Sequence, residues 1–368
     1  MSRAPPGAPD APVEILGAGL AGLSAAITVA RAGRHAIVYE RRADVGRRFH
    51  GDHEGIENYS TRGDALDELR AIGIDPDFTV GTFHQATIYD AKEREYAYRA
   101  SQPLFYMVRR GPGGDTLDAA LKRQALAAGA ELRFGQARAE LPQGGIVATG
   151  PRGAYAIVSG YVFRSSGLPD GVYGAVTDRL APKGYAYLVV AGGSGTVATC
   201  LFSDLRHRQR YLDRTVEFFE RRVGLRMDEP EPYGGTGVVR LPRSARRGNV
   251  LYAGEAAGFQ DALWGFGMRA AMVSGHLAAR AVLDGRPERY DRDWKRRFRG
   301  LMVTSLVNRW WFERLGDAGY CRFLQRLSAA SDARDFLWRR YRPSVIKALW
   351  YPLIRRPVAI HPAFIRRV

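Results

Sequence analysis

VEILGAGLAGLSAAITVARAGRHAIVYE, running from Val13 to Glu40, decides the architecture. A short apolar run, Val13–Leu16, is followed by GAGLAG, a helix-forming stretch to Ala32, and a second apolar run from Ala36 to Tyr39 that ends on an acid, Glu40. That is a complete β-α-β unit. Each glycine has a separate reason to be there: Gly17 for the tight turn, Gly19 so that backbone can meet a pyrophosphate, and Gly22 so that helix and strand pack closely. The helix start then offers unpaired N–H groups and a positive dipole end to the phosphates. Glu40 is placed to accept hydrogen bonds from an adenosine ribose, which favours FAD or NAD over NADP. A lone glycine motif in a chain with 42 glycines would read as a flexible loop. Strand, helix, second strand and terminal acid in order make it a dinucleotide site.

Working outward, Phe105–Val108 leads into the pair Arg109 and Arg110, a Gly/Pro loop and the helical pattern TLDAALKRQALAAGA. Gly145–Ala148 reads as a strand running into Ala148-Thr149-Gly150, and Asn249–Ala253 as another. Gly184–Phe202 alternates and breaks at Gly192, Gly193 and Gly195, the pattern of a β-hairpin. From Gly267 onward, Ala270, Ala271, Ser274, Gly275, Ala278 and Ala279 recur at helical spacing, so this helix can approach a neighbour or a flat ring closely. The expected fold class is α/β (α+β): a Rossmann-like FAD-binding domain with an inserted β-sheet substrate domain and a helical C-terminal extension. The expected boundaries are 12–79, 106–151 and 236–285 for the first, 80–105 and 152–235 for the second, and 286–368 for the third.

The 368 residues, 46% hydrophobic and 25% charged, suffice for one large or two ordinary domains. Two cysteines, Cys200 and Cys321, with no CxxC exclude a zinc ribbon, an iron–sulfur site and a disulfide framework. Neither a signal-peptide pattern nor an apolar run long enough to span a bilayer is present, so a cytoplasmic protein is expected. The net charge is +17, and residues 286–368 hold 20 Lys and Arg against 7 Asp and Glu, with five of the six tryptophans. Phe298, Leu301, Met302, Leu306 and Trp310 recur at helical spacing there, and RRYRPSVIKALWYPLIRRP sets Tyr341, Trp350 and Tyr351 among basic residues. An anionic membrane surface on the inner face of the membrane is the expected partner of this region, the alternative being that its apolar face packs on the FAD domain and its arginines are solvated. Nucleic acid is not expected, since no recognised binding motif accompanies the charge.

The order of motifs resembles the FAD-dependent oxidoreductases of the p-hydroxybenzoate hydroxylase type, and within them the geranylgeranyl reductase branch. Gly17, Gly19, Gly22 and Glu40 match the family's ADP-binding motif. Arg110, followed by Leu117, Asp118 and Leu121, resembles its cofactor-contacting arginine and helix, with Arg109 in the adjoining register. Ala148-Thr149-Gly150 resembles a family strand end, and Gly254-Glu255 the Gly-Asp pair whose carboxylate binds the ribityl chain. Gly265, Phe266 and Gly267 resemble the turn over the flavin. The departures are specific. Glu255 adds a methylene to the family's Asp, the Asp-Gly motif of many hydroxylases is absent, and VGRRFHGDHEGIENY lacks the cysteine of archaeal reductases, offering His50, Asp52 and His53 instead.

The resemblance implies FAD as cofactor, with NAD(P)H or a reduced ferredoxin as electron donor, and reduction of carbon–carbon double bonds in an isoprenoid or other hydrophobic, lipid-like substrate. Alkene reduction needs a hydride and a proton, and His50 and Asp52 are the expected acids. Trp264 and Phe266 are expected to shape the apolar substrate pocket. The ligand spacing of a zinc site is missing around His50, Asp52 and His53, so no metal is expected there. There is no GxSxG for a serine hydrolase. Two other readings share the cofactor motifs: a flavin monooxygenase of an aromatic or polycyclic substrate, and a non-redox FAD-binding membrane-associated protein.

Overall fold

The computed structural model describes residues 11–354 apart from positions 152, 154 and 166. Val13–Leu16 sits inside a six-stranded sheet of order Arg246–Arg247, Val250–Tyr252, Gly145–Val147, Val13–Leu16, Ala36–Glu40, Glu131–Phe134. All neighbours are parallel except the edge strand Arg246–Arg247. The central strands Gly145–Val147, Val13–Leu16 and Ala36–Glu40 are largely buried on both faces, as a parallel sheet requires. Helix Leu20–Arg31 covers one face and the helix Met268–Leu283 lies against it. Small residues allow that approach: a Cβ built on Gly275 would stand 2.0 Å from the carbonyl oxygen of Ala21. Ser24 Oγ donates to Met272 O at 2.7 Å across the same seam.

A seven-stranded sheet forms the second layer, in the order Met227–Gly237, Ala156–Ser165, Ser194–Leu201, Tyr185–Ala191, Gly171–Ala175, Gln85–Tyr89, Glu95–Arg99. Its centre is the hairpin Tyr185–Ala191/Ser194–Leu201, turned at Gly192-Gly193, where both glycines have positive φ. Helix Arg208–Val223 seals one face with Phe218 and Phe219, leaving the other towards the nucleotide-binding layer.

Three strands, His53–Glu57, Phe105–Arg109 and Thr79–Phe83, form a small antiparallel sheet between the two layers. The main-chain ladder of Thr79–Phe83 with Phe105–Val108 keeps residues 80–83 with this sheet. The chain therefore reaches the large sheet at Gln85 rather than at position 80.

The C-terminal region is helical, as expected, and packs as a wall of the body. Trp294, Phe298 and Met302 are buried in the core under the first sheet, against Phe259. Leu306 is buried too, with Val239 and Ala262. The apolar face expected to meet a membrane through Phe298, Met302 and Leu306 is thus spent on the body, with Leu301 and Trp310 half-buried beside it. Burying each such side chain is worth about 1.5–3 kcal/mol, which the protein interior supplies here. Further along, Phe312, Tyr320, Leu327, Leu337 and Tyr341 pack with Tyr59, Tyr98, Leu104 and Leu263. Arg355 and Arg356 of the basic stretch lie outside the described residues. No helix among the described residues is long and apolar enough to cross a membrane.

Candidate functional site

The two sheets and the C-terminal helices enclose a cavity of about 1230 Å³. Small-molecule sites typically occupy about 300–1,000 Å³, so there is space for a dinucleotide and a second molecule.

Backbone builds one end of it. Gly17 has φ +97°, and a Cβ there would lie 2.5 Å from Ala148 O. A Cβ on Gly22 would lie 1.9 Å from Gly17 O, so turn and helix touch directly. At Gly19 a Cβ would meet nothing within 4 Å. The space at Gly19 opens into the cavity wall, as close approach of a phosphate requires. Helix Leu20–Arg31 begins at Gly19 with no side-chain cap and no acid in its first turn, leaving its first N–H groups and dipole to an external anion. Glu40 is fixed beside this turn, its Oε2 accepting from Ala18 N and its Oε1 from Arg42 N, both at 2.9 Å. This end fits the ADP half of FAD.

In the middle, the expected residues converge but several have different partners. Arg110 is buried, with Nε and Nη2 donating to the two oxygens of Asp118 at 2.9 and 3.0 Å and Nη1 to Glu54 at 3.0 Å. Its guanidinium also lies 3.9 Å from the centre of the Phe49 ring. A cation so engaged organises the pocket wall rather than standing free to neutralise phosphate; Arg109 points to Asp115. Asp52 lines the cavity and is buried, which together with the charge of Glu54 pushes its carboxyl up to about 7. His50 is exposed and is not among the residues that line the cavity; only its backbone N–H takes part, donating to Asp52 Oδ1 at 2.9 Å. The structure thus separates the two expected acids, keeping Asp52 and leaving His50 at the surface. His53 does face the cavity, and burial lowers its imidazole to about 4, so it is neutral at pH 7. Glu255 uses its extra methylene to pair with Arg48, Oε2 to Nη1 at 2.9 Å. Gly254 and Gly265, both at positive φ, and Gly267 bring the following turn to the cavity wall.

The far end is aromatic. Trp264 and Phe266 line it with Tyr59, Phe105, Met107, Tyr185 and Tyr187. Phe266 lies 5.8 Å from Phe105 and 6.1 Å from Tyr59, ring centre to ring centre, and Trp264 lies 5.4 Å from Tyr185. An acid among these aromatic residues, Asp261, is one that sequence reasoning missed. Asp261 Oδ2 accepts from Trp264 N at 2.6 Å and from the Tyr341 hydroxyl at 3.3 Å, while Oδ1 is buried with no hydrogen-bond partner among the described residues. Burial pushes this carboxyl up to about 7. The available signal was a single acid inside GFQDALWGFG, between the two glycine turns, in otherwise apolar company.

Comparison with known proteins agrees with this geometry. A family model described as an NAD(P)-binding Rossmann-like domain matches residues 15–62. A search of curated proteins finds no match to the sequence. Among solved structures, a geranylgeranyl bacteriochlorophyll reductase-like protein from Thermoplasma acidophilum superposes with a TM-score of 0.71 at 19% identity, over 94% of this chain and 96% of that one. The flavin-dependent brominase Bmp2 gives 0.66 at 15% identity, over 94% and 99%. The p-nitrophenol 4-monooxygenase PnpA from Pseudomonas putida DLL-E4 gives 0.61 at 16%, over 93% and 97%. The chain has the fold these proteins share, a Rossmann-like layer with a second sheet and C-terminal helices, as the glycine motifs imply.

Proposed function

We propose that the protein is an FAD-dependent oxidoreductase that reduces a carbon–carbon double bond in an isoprenoid or similarly lipid-like substrate. The observation that carries this reading is Asp261, a carboxyl that burial keeps protonated to about pH 7 at the border of an aromatic cavity wall. Reducing an alkene takes a hydride at one carbon and a proton at the other. Bound FAD supplies the hydride chemistry, and its electrons are replaced from NAD(P)H or a reduced ferredoxin. The rest falls to this chain. The uncapped helix start at Gly19 holds the pyrophosphate, Glu40 accepts from the ribose, and the Arg48–Glu255 pair borders the ribityl chain. Tyr59, Phe105, Trp264 and Phe266 orient an apolar substrate and exclude water. Asp261, held through Oδ2 by Trp264 N and Tyr341, gives its proton to the substrate carbon. Asp52 is as readily protonated but sits beside Arg110 and Glu54 in the middle of the cavity, where its part is to shape the polar wall.

Mass spectrometry of products tests this directly. Reduced, FAD-loaded protein equilibrated in D2O and given a polyprenyl lipid is expected to return lipid with two added deuterium atoms on adjacent carbons, since the N–H of reduced flavin and the acid's proton both exchange with solvent. A product carrying an oxygen atom instead would make the protein a monooxygenase.

A further inference from the structure

The most exposed large apolar side chains among the described residues share one short helix, Val345–Ile354. Val345, Ile346, Leu349 and Leu353 are 76, 68, 70 and 72% exposed. At 3.6 residues per turn the four fall within an arc of about 100°. The opposite side is fastened down. Ile354 is buried, the Trp350 ring lies 5.7 Å from that of Trp310 and 5.3 Å from that of Trp311, and Lys347 Nζ donates to the carbonyl of Arg340. Trp311, itself 45% exposed, carries the apolar surface across onto the helix Gly300–Ser328.

The rim of this face is cationic. Arg342 precedes the helix and is exposed; Arg314 is exposed with its guanidinium 3.9 Å from the centre of the Trp310 ring. Exposed Arg299 adjoins Gly300, whose Cβ, if built, would lie 2.8 Å from Pro343 at the start of the same segment. No acid occurs from Pro343 to Ile354. A second copy of the chain would bring these arginines against their own kind. An anionic bilayer meets both the charge and the apolar ridge, with indole rings and arginine stems at headgroup depth.

We propose that Val345, Ile346, Leu349 and Leu353 seat the protein on an anionic lipid bilayer, with Arg299, Arg314 and Arg342 against the headgroups. The docking surface thus lies in the stretch RRYRPSVIKALWYPLIRRP, beyond the face at residues 298–310 that the body covers. Helical geometry breaks at Gly316, and the segment beyond the one carrying Trp311 contributes Phe323, Leu324 and Leu327 to the cavity wall, so the docked surface and the cavity lie either side of that kink.

Vesicle co-sedimentation of the full chain tests the proposal, with vesicles of phosphatidylcholine alone or with about one third phosphatidylglycerol. The wild type is expected to bind the anionic vesicles, to lose that binding in high salt, and to bind neutral vesicles at least about tenfold more weakly. Leu349→Glu with Leu353→Glu, both at the surface, is expected to abolish binding while leaving the melting temperature and bound flavin unchanged. Arg314→Glu with Arg342→Glu is expected to weaken binding and flatten its salt dependence. Equal binding to neutral vesicles, binding that survives the double glutamate variant, or no binding by folded wild type would each overturn it. So would a concentration-dependent dimer in light scattering that the same glutamates dissolve without any vesicle binding.

Discussion

The two ends of the cavity are built from different materials. At the nucleotide end the recognition groups are backbone: Gly17, Gly19, Gly22 and an uncapped helix start, with Glu40 tied to the Ala18 and Arg42 amides. At the aromatic end they are side chains drawn from the small sheet, the hairpin, the glycine turn and the C-terminal helices, namely Phe105, Tyr185, Phe266 and Phe323. The first end is made within one stretch of chain, where Gly17 and Gly22 leave no room for a side chain and Gly19 opens onto the cavity. The second is assembled across the fold, so its chemistry depends on what burial does to an acid placed there, Asp261.

The sharpest way to break this contrast is at Gly19. Gly19→Val fills the space where backbone meets pyrophosphate, and complete loss of copurifying flavin absorbance is expected, with the fold retained by circular dichroism. Full flavin occupancy in that variant would remove the dinucleotide assignment. At the other end, Asp261→Asn keeps the shape but not the proton. Flavin reduction by the donor is expected to be unchanged, while re-oxidation by substrate slows by about 10²-fold or more. Equal slowing of both half-reactions would make Asp261 structural. Asp52→Asn is expected to change the substrate step far less.

The same acid sets a pH dependence. A carboxyl raised to about 7 is protonated below that pH and ionised above it. The substrate step should therefore be flat in acid and fall about tenfold per unit above pH 7, a limb that Asp261→Asn lacks. A profile that rises through pH 7 would contradict the role. Smaller again, Glu40→Ala removes charge-assisted hydrogen bonds but leaves the phosphate cradle, so isothermal titration is expected to show FAD binding weakened about tenfold. The smallest effect is assigned to His50→Ala. An exposed ring outside the cavity should leave both half-reactions within about twofold of wild type, below the 10²-fold loss expected of a general acid.

These regions also differ in how far they could be read in advance. The β-α-β unit from Val13 to Glu40, the hairpin at Gly192-Gly193 and the small-residue helix after Gly267 follow from local rules: turn glycines, alternation and helical spacing. The small sheet does not, because pairing of His53–Glu57 and Thr79–Phe83 with Phe105–Arg109 joins segments far apart in the chain. His50 and Asp52 look alike in sequence, two residues apart; which one is buried is decided by the turn at Gly51, with φ +89°, that precedes the strand beginning at His53. Asp261 reads as one more polar residue in a loop until Trp264, Tyr341 and the core around them take its water away. The face at Phe298, Met302 and Leu306 carries the right periodicity for burial of some kind, and periodicity cannot say whether protein or lipid covers it.

Anaerobic re-oxidation of the reduced, FAD-loaded protein is the most direct test of the account. Mixed with a polyprenyl lipid in a stopped-flow spectrophotometer without oxygen, it is expected to regain the oxidised flavin spectrum in proportion to lipid added. Failure of every unsaturated lipid to re-oxidise it, together with rapid oxygen consumption coupled to hydroxylation of an aromatic compound, would contradict the account.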